Sequence, residues 1–188
     1  MKRIILLLSS FALALAARAA VETYQIDPVH SSVGFTIRHF VSKVPGSFTK
    51  FAGTIVVDRD NLANSTVSAT IEIGSLNTAN EMRDNDVKSA KFLDAANFST
   101  ITFTSSSWKK TGENTFDVTG DLTLHGVKKE VVLKVVFDGF ATGMRGAQLS
   151  GWEASTTLTR ADFGVSAYKG VLGDEVPVTI NIEADLKK

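Results

Sequence analysis

The sequence predicts an all-β fold, an antiparallel closed barrel with one short helical insert, and three observations lead to it. After residue 20, apolar residues recur at every second position over most of the chain, the period of a strand with one buried and one wet face. Eight or nine such segments are separated by turn signals at hairpin spacing. A single stretch, Asn77 to Asn97, breaks the alternation.

Taken in order, Glu22 to Ile26 is a short first strand. Val33, Phe35, Ile37 and His39 then share one face, alternating with Gly34, Thr36 and Arg38. Val44-Pro45-Gly46 reads as a turn, and Phe48 to Val57 as the next strand. Val67, Ala69, Ile71 and Ile73 form a face against Ser68, Thr70 and Glu72. In Asn77 to Asn97, Ala79, Met82 and Val87 stand among many charges and predict one or two short helices. Thr100 to Trp108 returns to strand. Thr111 to Asn114 forms a turn, and Phe116, Val118, Gly120, Leu122 and Leu124 make the next face up to the turn at His125-Gly126. Val131, Leu133, Val135 and Phe137 follow, then the turn Thr142-Gly143, the strand Gly151 to Thr159, and finally Val178, Ile180, Ile182, Ala184 and Leu186.

A sandwich and a barrel both fit such a list. Strands this long and this regular favour closure, because closure leaves no exposed edge. An eight-stranded barrel encloses a lumen that is either filled by side chains or open to one small ligand. Gly53, Ala69, Gly120, Ala154 and Ala184 on the inward faces leave both readings standing: they free volume, or they seat large neighbours.

Ahead of the strands, Lys2 and Arg3 precede the apolar run Ile4 to Ala17, and Ala17-Arg18-Ala19 offers small residues for cleavage. This is the pattern of a cleaved signal peptide over residues 1–19, with one domain over 20–188. The run spans about 21 Å as a helix, short of the roughly 30 Å hydrocarbon core, so no stable membrane insertion is expected. Without residues 1–19 the chain has 17 basic and 20 acidic residues, a net charge of −3. That balance gives no reason to expect nucleic acid as a partner. There is no cysteine, so the fold dispenses with disulfides even in a compartment that permits them.

Few residues suggest chemistry. The three histidines, His30, His39 and His125, lack metal-site spacing, and a structural role is expected for each. Asp27, three residues before His30, is placed to orient it. No nucleophile motif occurs, and neither catalytic residues, metal nor cofactor is expected. Arg83, Asp84, Asp86 and Asp94 read as the solvated face of the helical insert. Arg160 has the parity of Trp152, Ala154, Thr156 and Leu158. It is expected either to pair with Asp162 or a neighbouring strand's acid, or to anchor a polar head group at a barrel mouth.

Five segments in order carry a resemblance. They are Asp27-Pro28-Val29-His30-Ser31 through His39; Gly46-Ser47-Phe48 with Phe51-Ala52-Gly53; Arg83-Asp84 leading to Ser89-Ala90-Lys91-Phe92-Leu93-Asp94; Gly120-Asp121-Leu122-Thr123-Leu124-His125-Gly126; and Arg160-Ala161-Asp162-Phe163-Gly164. Together with Ile101-Thr102-Phe103 they resemble the YceI-like family of lipid-binding, lipocalin-like barrels, over nearly the whole chain after the signal. The resemblance implies an eight-stranded barrel with a long apolar pocket for a polyisoprenoid or similar long-chain lipid, and a periplasmic location. It favours the open lumen. Asp86, Val87 and Lys91 depart from the family pattern and leave the head group open. Strand parity then makes Phe35, Ile37, Phe51, Ile71, Phe103, Leu122, Leu133, Val135 and Ile180 the expected tail-lining residues, with His39 and Arg160 completing the candidate set. An isoprenoid or other long-chain lipid is the expected partner. A homodimer is left open, and a filled barrel serving as a stress or interaction protein is the alternative reading.

Overall fold

The computed structural model describes residues 21–187; the expected signal segment lies outside them. Among the described residues the strands are β1 (Val21–Ile26), β2 (Ser32–His39), β3 (Ser42–Phe48), β4 (Phe51–Asp58), β5 (Thr66–Glu72), β6 (Leu76–Asn77), β7 (Thr100–Lys110), β8 (Thr115–Leu124), β9 (Val127–Thr142), β10 (Gln148–Thr159) and β11 (Glu175–Leu186), with one α-helix, α1 (Glu81–Lys88). All pairings between strands are antiparallel. The ring β1-β4-β5-β7-β8-β9-β10-β11 closes through β1 against β11, an eight-stranded barrel.

Three of its staves are broken, which is why the strands number eleven. β1 and β2 both lie along β11, with Tyr24 opposite Leu186 and Phe35 opposite Val178. β4 and β3 run beside them, and β5 and β6 come next. The first break falls at Asp27-Pro28, where proline has no N–H to give a ladder. The Asp27 carboxylate accepts from the Val29 amide there at 2.8 Å. The second and third breaks are tied together: Thr49 N–H donates to Ser75 O, Glu72 N–H to Lys50 O, and Lys50 N–H to Ser75 Oγ at 3.0 Å. Of the strand expected from Phe48 to Val57, the part from Phe51 onward is β4, while Phe48 ends β3.

Val44-Pro45-Gly46, read from sequence as a turn, lies inside β3. Pro45 sits opposite Thr36 of β2, on a stretch where β3 has no partner on its other side, so its missing N–H costs no ladder bond. Gly46 makes room for the Phe35 ring, which a Cβ would meet at 2.3 Å. The hairpin instead turns at Phe40-Val41, with Phe40 at φ 48°. His125-Gly126 does form a turn: both residues have positive φ, 52° and 73°, the signature of the tight hairpin that matches strand twist.

The helical insert contains one helix. Asn80 caps it by accepting from the Arg83 amide at 3.0 Å. The chain then coils back onto the helix end, with Leu93 N–H bonded to Val87 O and Ala95 N–H to Lys88 O.

Two irregularities re-aim side chains into the core. A register shift between Ser105 and Ser107 changes the inward parity of β7, so that Ile101 and Phe103 point in, and so does Trp108. A second, where Trp152 pairs with Phe137 and Gly151 with Gly139, skips Asp138 and brings Phe140 inward beside Phe137.

Candidate functional site

The two ends of the barrel are built differently. At one end, Tyr24, Val57, Trp108, Phe116, Val118, Trp152 and Ala184 form a buried cluster with Phe137 and Phe140 against it. Trp108 and Trp152 meet edge to face at 5.6 Å, Phe137 lies 4.6 Å from Trp152, and Phe140 lies 4.7 Å from Phe137, geometries favoured by the ring quadrupole. The Arg59 guanidinium covers the Phe140 ring at 3.9 Å and donates to the Tyr24 hydroxyl at 3.0 Å and, through Nε, to Glu22 at 2.6 Å. This end is plugged by rings and sealed by an ion pair.

Between the plug and the opposite end lies a cavity of about 540 Å³, inside the roughly 300–1,000 Å³ range of small-molecule sites. All eleven residues expected from sequence line it: Phe35, Ile37, His39, Phe51, Ile71, Phe103, Leu122, Leu133, Val135, Arg160 and Ile180. The walls are otherwise almost wholly aliphatic and aromatic, and Trp108 and Trp152 floor it. The small inward residues divide. Gly53 and Gly120 are filled over, since a Cβ there would meet Ile26 at 2.6 Å and Phe103 at 2.6 Å. Ala69 and Ala154 face the open space.

The far end carries the polar groups. Thr78, Arg83, Asp86, Val87, Phe92 and Leu93 of the insert, and Val165, Tyr168, Val171 and Leu172 of the loop after β10, border the cavity there. Sequence reasoning missed them as lining residues because no strand period runs through either segment. Arg83 Nε donates to Thr78 Oγ1 at 2.7 Å and its Nη2 to Thr78 O at 2.6 Å. Thr78 in turn donates from Oγ1 and its amide to Asp84, at 2.6 and 2.8 Å. These two donations hold the Asp84 carboxyl below its ordinary range. Asp84 is thus tied into the rim, where the sequence suggested a solvated face.

Arg160 is 5% exposed. Its Nε donates to Gly173 O at 2.9 Å and its Nη1 to Val165 O and Ala167 O at 3.0 and 2.8 Å. Nη2 faces Leu172 O and lies 3.3 Å from Asp174. Asp162, the partner considered from sequence, pairs with Lys129 instead. The residue borders the cavity, but its guanidinium is committed to folding residues 164–174 into the rim. A planar five-donor fork suits this ring of carbonyls; a lysine would not.

The histidines are dispersed. His39 stands at the mouth. His125 Nδ1 contacts Phe163 O at 3.0 Å. His30 lies outside the cavity with Nδ1 2.6 Å from Asp27 and 3.6 Å from Glu183. The hydrogen bond to Asp27 raises the His30 pKa, and the same bond lowers that of Asp27. Asp27, His30 and Glu183 are close enough to share a cation, but the contact between Asp27 and His30 already satisfies the pair and steadies the break between β1 and β2. Among the described residues, no helix is long and apolar enough to cross a membrane.

The sequence model of the YceI-like domain matches residues 24–184. The chain is 37% identical to a UPF0312 protein of Ectopseudomonas mendocina over 172 residues, 90% of each chain. Its fold is similar to that of Burkholderia cenocepacia BcnA, with a TM-score of 0.78 at 22% identity, covering 84% of this chain and 98% of that one. It is also similar to a polyisoprenoid binding domain from Saccharophagus degradans, with a TM-score of 0.69 at 17% identity, covering 89% and 100%.

Proposed function

This chain belongs to the YceI-like family, and on that premise we propose that it binds and carries a polyisoprenoid or similar long-chain amphiphile, tail inward, in the barrel lumen. The observation that carries the reading is the apolar cavity of about 540 Å³, floored by rings and bordered by polar groups at one end only. Such a shape takes an apolar chain from one direction and leaves its head group at the rim. The likeness to a polyisoprenoid binding domain supports the ligand class. The signal-like N-terminus supports a periplasmic location, where a nearly insoluble lipid would need a carrier.

The energetics are adequate. Burial is worth about 0.8 kcal/mol per methylene, or roughly 4 kcal/mol for each five-carbon unit as an upper bound. A few buried units therefore suffice. Further length adds less, because ordering a flexible tail opposes its burial. Tail contacts are assigned to Phe35, Ile37, Phe51, Ile71, Phe103, Leu122, Leu133, Val135 and Ile180, with His39 at the rim. Arg160 acts by holding the rim loop.

Mass spectrometry of organic extracts from natively purified protein tests this reading. A stoichiometric long-chain lipid is the expected result. Its absence, together with no uptake of added farnesol, would overturn it.

A further inference from the structure

The mouth of the lumen has a feature that lipid binding alone does not require. Phe40, Val41 and Tyr168 are large, apolar or aromatic, and exposed, Val41 to 95%. They occupy two segments joined to each other: the β2–β3 hairpin tip and the loop that Arg160 holds. Phe40 N–H donates to Val171 O at 3.0 Å, and Gly173 N–H to Arg38 O at 2.9 Å. His39, Tyr168 and Leu172, from the same two segments, border the cavity.

The two segments carry a local excess of positive charge. Residues 38–43 and 167–173 contain Arg38, Lys43 and Lys169 and no carboxylate, in a chain whose net charge after residue 19 is −3; the carboxylates beside them at the mouth, Asp86 and Asp174, each face a cation of their own, Lys91 and Arg160. Among the described residues, none of these three cations is in an ion pair; Arg38 Nε donates to Phe40 O at 2.9 Å. Exposed aliphatic and aromatic side chains flanked by unpaired cations form an interfacial pattern, with apolar groups for the acyl boundary and cations for anionic head groups.

We propose that this rim docks the open end of the barrel on an anionic lipid bilayer, so that a lipid passes between membrane and lumen without crossing water. The inference rests on the lumen reading for its purpose, but the contact itself is separable from it. Docking needs no bound prenyl chain. It brings the mouth to the bilayer surface, while the plugged end points away. The depth of contact is small, one hairpin tip and one loop, so attachment is reversible and weakened by salt.

The test uses residues 20–188 and vesicles containing no prenyl lipid. The expected result is co-sedimentation with vesicles of phosphatidylcholine and phosphatidylglycerol, falling as salt rises, and little with phosphatidylcholine alone. Val41→Asp, at a fully exposed position, is expected to lower partitioning at least about tenfold. The pair Lys43→Glu with Lys169→Glu is expected to lower it by more, at least about 25-fold, since each cation near an anionic surface contributes about fivefold and both are reversed. Both variants should bind farnesol in solution as the parent does, and transfer of a prenyl lipid out of anionic vesicles should slow in each. Three results would overturn the proposal: no preference for anionic vesicles, variants that partition like the parent, or loss accompanied by dissociation of a dimer in analytical ultracentrifugation. The last would make the rim a contact between copies. Failure to bind farnesol in the parent protein would count against the lumen reading and leave the vesicle result to stand by itself.

Discussion

The plugged end and the open end of this barrel are made from the same staves, yet they solve opposite problems. Near the plug, inward positions carry Trp108, Phe116, Phe137 and Trp152, and the rings reach across the axis to one another. Toward the mouth, the inward positions are mainly aliphatic, Ala154 and Leu158 on β10 for instance, and they line space. The plug supplies cohesion, and the staves can therefore stay apart elsewhere. The breaks in β1/β2, β3/β4 and β5/β6 belong to the same division of labour: they let the chain depart from the sheet and build a rim.

Changes at the two ends should therefore differ in what they disturb. The largest effect is expected for Phe116→Ala, which removes a ring that is 2% exposed; about 3–5 kcal/mol of stability should disappear in urea unfolding. A much smaller loss would mean that the plug is not the cohesive element. Next is Arg160→Met, which leaves the carbonyls of Val165, Ala167 and Gly173 without their donor. About 2–4 kcal/mol is expected, with proteolysis appearing first within residues 164–174. Cleavage elsewhere would contradict the role given to Arg160.

Leu133→Trp probes the middle. Adding a ring to a filled core costs about 1–3 kcal/mol. Here the ring has space to enter, so a smaller change is expected, with farnesol capacity reduced at least about tenfold as the ring takes the ligand's place. A full overpacking penalty with unchanged uptake would favour the filled barrel.

The smallest effect concerns pH. His30 has a raised pKa in the folded protein, so its contribution is complete below the unfolded value of about 6.5 and fades as pH rises through the folded one. Asp27 has a lowered pKa, so its contribution is complete above about 3.9 and is lost as pH falls through its folded value. The pair therefore stabilises most between the carboxylate and imidazole ranges. Unfolding midpoints measured against pH should show two shallow slopes; Asp27→Asn is expected to remove the acid one and to reduce the one through the imidazole range, where Glu183 still holds the His30 pKa up. Slopes unchanged in that variant would assign them to other groups.

How far each region could be read from sequence follows from whether a period runs through it. The walls were legible because alternation places every second residue inside, and Phe35, Ile37, Leu122, Leu133 and Ile180 needed nothing more. Trp108 as a floor residue was not, since strict alternation on β7 puts it outward and only the irregularity at Ser105–Ser107 reverses that. Pro45-Gly46 misled because both residues are ordinary turn formers; their use as strand edge and ring seat depends on partners far along the chain. The rim was hidden for a related reason. Thr78, Arg83 and Tyr168 lie in segments without periodicity, brought to the mouth by capping and by the carbonyl ring around Arg160.

An apolar chain that fills the lumen with its tail toward the plug would meet a built-in reporter. Trp108 and Trp152 are the two tryptophans of the chain, and both floor the cavity. Titration with a long-chain alcohol brominated at its tail end should quench their fluorescence saturably and be reversed by farnesol. The same alcohol brominated next to its hydroxyl should quench far less. Equal quenching by the two, or none at saturation, would contradict the account.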